Sequence, residues 1–191
     1  MFRRAAAGVA IFMGCLLLSG PHVAGQEPVA PGYRIKPSEV VVPPDAKLGG
    51  YQRLIRPFEN WTLICDENLA QRQRVCNVTQ VIEDAAGRLV FSWSLAATKD
   101  GKPYMILRTA PAAKSDGLVS LKFDSRKQPV EVQLDGCNEA VCVGMLPVGP
   151  IMREQISRNA TPMITYPTTD GRIINVNATL RGLSTAVEAI N

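Results

Sequence analysis

Alternation of apolar and polar positions organises most of the chain beyond residue 57. From Arg88 to Ala96, the residues Leu89, Phe91, Trp93 and Leu95 share one face while Ser92 and Ser94 share the other, the pattern of a half-buried strand. The same alternation sets Val119, Leu121 and Phe123 against Ser120, Lys122 and Asp124, and Val130, Val132 and Leu134 against Glu131 and Gln133. Further strand candidates span 58–65, 74–82, 103–109, 140–145, 162–166 and 172–177. Turn signals separate the strands at Ala86-Gly87, Asp100-Gly101, Asp116-Gly117 and Asp170-Gly171. Nine short strands within about 120 residues predict an all-β domain, an antiparallel β-sandwich or barrel, rather than a parallel sheet with crossover helices. Pro150 opens a short helix near 150–158, with Ile151, Gln155 and Ile156 on its apolar side and Asn159 as its stop. A C-terminal helix follows, with Ser184 as its cap and Leu183, Val187 and Ile190 at helical spacing.

The first 57 residues read differently. Arg3 and Arg4 precede an apolar run of 14 residues, Ala5 to Leu18, and the small residues Val23 and Gly25 then suit a signal peptidase. Residues 1–25 are therefore expected to be an export signal, leaving a mature chain of 166 residues from Gln26. The run falls short of the roughly 17 to 25 residues that a membrane-crossing helix needs, so no transmembrane segment is expected after cleavage. Phe12-Met13-Gly14-Cys15 faintly resembles a lipoprotein box, but Phe12 is atypical there and Leu16-Leu17-Leu18 continues past it. Cys15 thus reads as a small apolar residue of the signal. Residues 26–57 carry Pro28, Pro31, Pro37, Pro43, Pro44 and Pro57 with Gly49-Gly50, and read as an extended arm; 58–191 is the folded domain.

Composition narrows the function. With 46% hydrophobic and 20% charged residues among 191, the chain is globular in type. Removing Arg3 and Arg4 from 21 basic side chains leaves 19 against 17 acidic ones, a charge of +2, and no basic block of the kind that follows a phosphate backbone. Nucleic acid is not an expected partner. The one histidine, His22, lies in the signal, so the mature protein lacks imidazole for a triad or a metal site. Serine nucleophiles have no base, and no G-x-S-x-G, Gly-rich phosphate loop or calcium loop occurs. Asp66 with Glu67 and Glu83 with Asp84 are adjacent carboxylates that read as solvated charge. The sequons at Asn60, Asn77, Asn159 and Asn177 read as coincidence, since three fall in or beside strands.

Four cysteines remain after the signal: Cys65, Cys76, Cys137 and Cys142. An even number in an exported chain points to disulfides, and short loops favour Cys65 with Cys76 and Cys137 with Cys142 among three pairings. Four-thiolate zinc is disfavoured by spacing and compartment, and no C-x-x-C is present. If 58–65 and 74–81 form a hairpin with Cys65 opposite Cys76, then Leu63 faces Val78 and Trp61 faces Gln80 on the same inward side. Thr62 and Thr79 then pair on the other side.

Phe58-Glu-Asn-Trp61-Thr-Leu-Ile-Cys65-Asp66, Cys76-Asn-Val-Thr-Gln80 and Gly136-Cys137 to Cys142-Val143 together resemble the bacterial invasion-associated locus B proteins. The resemblance covers about 58–190, including Leu180-Arg181-Gly182-Leu183-Ser184-Thr185-Ala186. It implies an exported envelope protein of a Gram-negative bacterium, in the periplasm or on the outer-membrane surface, from a family named after entry into host cells. It supplies no catalytic residues, so Trp61, Asp66, Gln80 and the four cysteines are structural matches. The expectation is a non-enzymatic binding protein, without cofactor or metal, whose partner is an envelope or host protein. A hydrolase of envelope polymers using paired carboxylates is the alternative.

Overall fold

The computed structural model describes residues 42–44, 46–97 and 101–190. The signal, His22, Cys15 and residues 26–41 of the arm lie outside the described residues, as does Asp100. Ten strands and two helices follow in chain order: β1 (Tyr51–Pro57), β2 (Thr62–Asn68), β3 (Gln73–Glu83), β4 (Leu89–Ala97), β5 (Pro103–Thr109), β6 (Leu118–Lys122), β7 (Val130–Cys137), β8 (Cys142–Pro147), α1 (Pro150–Ser157), β9 (Met163–Pro167), β10 (Ile173–Asn177) and α2 (Leu183–Glu188). The strands form an unclosed antiparallel sheet in the order β1-β2-β3-β4-β5-β8-β7-β6-β9-β10.

The sheet folds on itself because β7 serves two neighbours. Its first half pairs with β6, from Val130 opposite Leu121 to Gln133 opposite Leu118, and its second half pairs with β8, ending at Cys137 opposite Cys142. A register shift between Leu134 and Gly136 marks the change of partner, and such irregularities bend a strand and sharpen its twist. Gly144 permits the close approach there, since a Cβ at that position would lie 2.8 Å from the Gln133 carbonyl oxygen. The two halves then share one core: Trp61, Leu63, Phe91, Trp93 and Leu107 from the first, and Val119, Leu121, Ile164 and Tyr166 from the second. The expected all-β architecture is the one found.

Several boundaries differ from the sequence reading. Residues 51–57, assigned there to the arm, form β1 paired along β2. Nearly all of its residues are exposed, and an exposed edge strand carries no alternation to read. The predicted strand 58–65 begins only at Thr62, because Phe58 and Trp61 exchange backbone hydrogen bonds in the turn that joins β1 to β2. In α1, Met152 and Gln155 are buried while Ile151 is exposed. Ser184 lies inside α2 rather than at its cap; Gly182 takes that position at φ +87°, a conformation that favours glycine. Asn159 ends α1 as expected, at φ +52°.

Candidate functional site

The hairpin β2–β3 has the register that the sequence predicts, with Cys65 opposite Cys76, Leu63 opposite Val78 and Thr62 opposite Thr79. Cys65 is bonded to Cys76 and Cys137 to Cys142. Trp61, Leu63, Cys65 and Val78 are buried, as their shared inward face requires. Trp61 stacks on Trp93 with ring centroids 5.7 Å apart, and Phe91 meets Trp93 edge-on at 5.8 Å.

Gln80 follows on the same face, at a position where alternation asks for an apolar side chain. Its carboxamide is used in full. Nε2 donates to the carbonyls of Asn60 (3.0 Å) and Thr179 (3.1 Å), while Oε1 accepts from Trp93 Nε1 (3.1 Å) and the Thr179 N–H (3.2 Å). A buried amide with two donors and two acceptors thus meets four partners from three parts of the chain. Asp66 is held differently: Arg53 on β1 grips it at 2.6 and 2.8 Å, and this hydrogen-bonded guanidinium holds its carboxyl below the ordinary carboxylate value. Trp61, Asp66, Gln80 and the cystines therefore act as the frame of the domain.

Three of the four adjacent carboxylates are engaged by local partners. Asp66 and Glu67 are successive strand residues that point to opposite faces, and Glu67 accepts from Gln52 Nε2 at 2.9 Å. Asp84 organises the β3–β4 turn, accepting from the Ala86 and Arg88 N–H groups and from Arg88 Nε. Its carboxyl is lowered chiefly by the Arg88 hydrogen bond.

What the sequence reading missed is a groove of about 410 Å³ where β9 and β10 approach the β3–β4 hairpin. Leu89, Val90, Pro111, Ala112 and Ile174 line it with Tyr166. The Tyr166 hydroxyl donates to the Val90 carbonyl at 2.5 Å, and burial raises its pKa. Arg88 and Arg172, both largely exposed, flank the groove and are each paired with a local aspartate, Asp84 and Asp170. The groove is thus apolar, with its polar groups already matched. One signal was present in the sequence: a tyrosine at an inward strand position needs a partner for its hydroxyl. Which strands would supply that partner depends on contacts far apart in the chain.

Fold and frame together define a disulfide-stapled, open antiparallel β domain pinned by a buried glutamine beneath a tryptophan pair. A family model described as "Invasion associated locus B (IalB) protein" matches residues 61–191, and the chain belongs to that family. The crystal structure of invasion associated protein b from Bartonella henselae is similar in fold, with a TM-score of 0.60 and 17% identity, covering 72% of this chain and 94% of that one. No curated protein sequence matches the chain. Family membership and the two disulfides point to an exported protein. Among the described residues, no helix is long and apolar enough to cross a membrane.

Proposed function

We propose that the protein is a non-enzymatic binding module of the bacterial envelope, located in the periplasm or on the outer-membrane surface, whose ligand is an envelope or host protein. The observation that carries this reading is the Tyr166 groove. Its walls are apolar, Tyr166 is bonded to Val90, and Asp84 and Asp170 are held by arginines. Such a surface offers burial to a ligand rather than a proton or a nucleophile. The family's name and the similarity to an invasion-associated protein of Bartonella support contact with host cells as the setting in which that ligand is met.

The test is an affinity capture with the oxidised mature chain, run separately on envelope extract and on host-cell surface proteins. An Ala112→Arg variant serves as the comparison, since Ala112 is exposed and lines the groove. A partner retained by the wild-type chain and lost by this equally stable variant is the expected result. Retention no better than that of the reduced, unfolded chain in both extracts would sink the reading.

A further inference from the structure

The open sheet leaves a seam, and its two banks are strand edges. On one bank, β2 ends at Thr62 opposite Thr79, so β3 runs on past its neighbour through Val81, Ile82 and Glu83. On the other bank, β10 pairs with β9 alone. Asn177 and Thr179 line one hollow with Gln80, Val81 and Ile82, and Arg172 and Ile174 line the next with Asp84 and Arg88. The two edges therefore run side by side in opposite directions.

Ladder alternation fixes which backbone groups look into the seam. Thr168 N–H donates to Arg172 O and Ala178 N–H to Pro162 O, so Ile174 and Val176 bond to β9 and Ile173, Asn175 and Asn177 turn theirs outward. For β3 the phase follows from the β1–β2 ladder, where Leu69 N–H donates to Gly50 O; this makes Leu54–Cys65 a bonded pair and Cys65–Cys76 a non-bonded one, with Cα atoms 4.0 Å apart. Val81 consequently turns its N–H and C=O toward the space beyond the end of β2. Glu83 does the same, because Asp84 N–H is the group that bonds across to Arg88. Among the described residues, no strand pairs with the seam-facing side of either run.

One rung of the seam is already filled. The Gln80 carboxamide gives an N–H to the Thr179 carbonyl and takes the Thr179 N–H, the exchange that one peptide unit makes with another across an antiparallel pair. A side chain is needed to span the interval, so it is wider than the roughly 4.8 Å between paired strands. We infer that the remaining rungs accept an extended segment of a partner polypeptide, added as a strand antiparallel to β10 and parallel to β3. Only a peptide backbone carries alternating donors and acceptors for both edges at once. Alternate side chains of the segment face inward on Ile82, Ile174 and Val176, which already pack against the core, and one apolar side chain enters the Tyr166 groove. This rests on the binding reading above and names its ligand class.

The test selects random seven-residue peptides, displayed between glycine spacers, on the oxidised full chain, and follows amide hydrogen exchange by NMR with and without a selected peptide. Exchange at Val81, Glu83, Ile173, Asn175 and Asn177 is expected to slow by about tenfold or more on binding. Methylating alternate peptide nitrogens should weaken binding about tenfold or more. Asn175→Pro, which removes a seam N–H that β9 does not use, should weaken it by about fivefold. Selected peptides that protect other amides, such as Tyr51, Arg53 and Ile55 on the outer edge of β1, would overturn strand addition while leaving the binding module standing. Slow exchange of the seam amides in the unliganded protein, or a failure to select any peptide, would also overturn it. The affinity capture then decides the binding reading separately.

Discussion

Gln80 and Thr179, 99 residues apart, are joined by two hydrogen bonds between one side-chain amide and one backbone unit. That relationship couples the β2–β3 hairpin to the segment leading into α2. Gln80→Leu should be strongly destabilising, by about 3 kcal/mol, because it strands the Trp93 indole N–H and both Thr179 groups in a buried site. Urea unfolding monitored by tryptophan fluorescence reads this directly; a loss below about 1 kcal/mol would show that water takes over the four bonds.

The two disulfides should contribute unequally. By loop entropy, the longer Cys65–Cys76 closure stabilises by about 3 kcal/mol and the shorter Cys137–Cys142 closure by about 2 kcal/mol. The double variants Cys65→Ser/Cys76→Ser and Cys137→Ser/Cys142→Ser, compared by denaturant midpoint under oxidising conditions, should fall in that order. The reverse order would mean that the β7–β8 turn stabilises through native contacts that the entropy argument omits.

Acid should weaken the β1–β2 pairing through Asp66. Its folded pKa lies below the unfolded value because Arg53 hydrogen-bonds the ionised form. The stabilisation is therefore complete above the unfolded pKa and is lost as pH falls through the folded one. Asp66→Asn should flatten the fall in stability below about pH 4, measured as thermal midpoint against pH. An unchanged acid slope would show that the pair, about 30% exposed on each side, is too well solvated to matter.

Gly144→Ala should cost about 1–3 kcal/mol. The new methyl meets the Gln133 carbonyl oxygen at 2.8 Å and Val132 Cγ1 at 3.1 Å, and the first of these belongs to a backbone that the β6–β7 pairing holds in place. Gly136→Ala, with open space around its Cβ, is the matched control and should be near neutral. Equal midpoints for the two variants would show that β7 shifts aside freely.

The register of the β2–β3 hairpin was legible because two constraints agree: apolar alternation on Leu63 and Val78, and sulfur atoms at the facing positions 65 and 76. Gln80 was legible as a family match, but its polarity on an inward face was a signal left unread. Those partners, Thr179 above all, were not legible, since they come from a distant segment without periodicity. β1 escaped because exposed residues leave no alternating trace. The Tyr166 groove and the seam escaped for a different reason: both are made where strands from opposite ends of the sheet come near, and local patterns say nothing about that closure.

Strand order also sets a timetable for building the molecule. β1 to β5 are neighbours in chain order, so each can pair with the one just synthesised across a short loop. β5 then waits for β8, and Gln80 waits for Thr179, 99 residues further along the chain. In that interval Trp61 and Trp93 have no second layer over them. A polypeptide delivered N-terminus first is consequently expected to depend on a chaperone late in its assembly, when the early half is already stapled by Cys65–Cys76 but its core is still open to other chains.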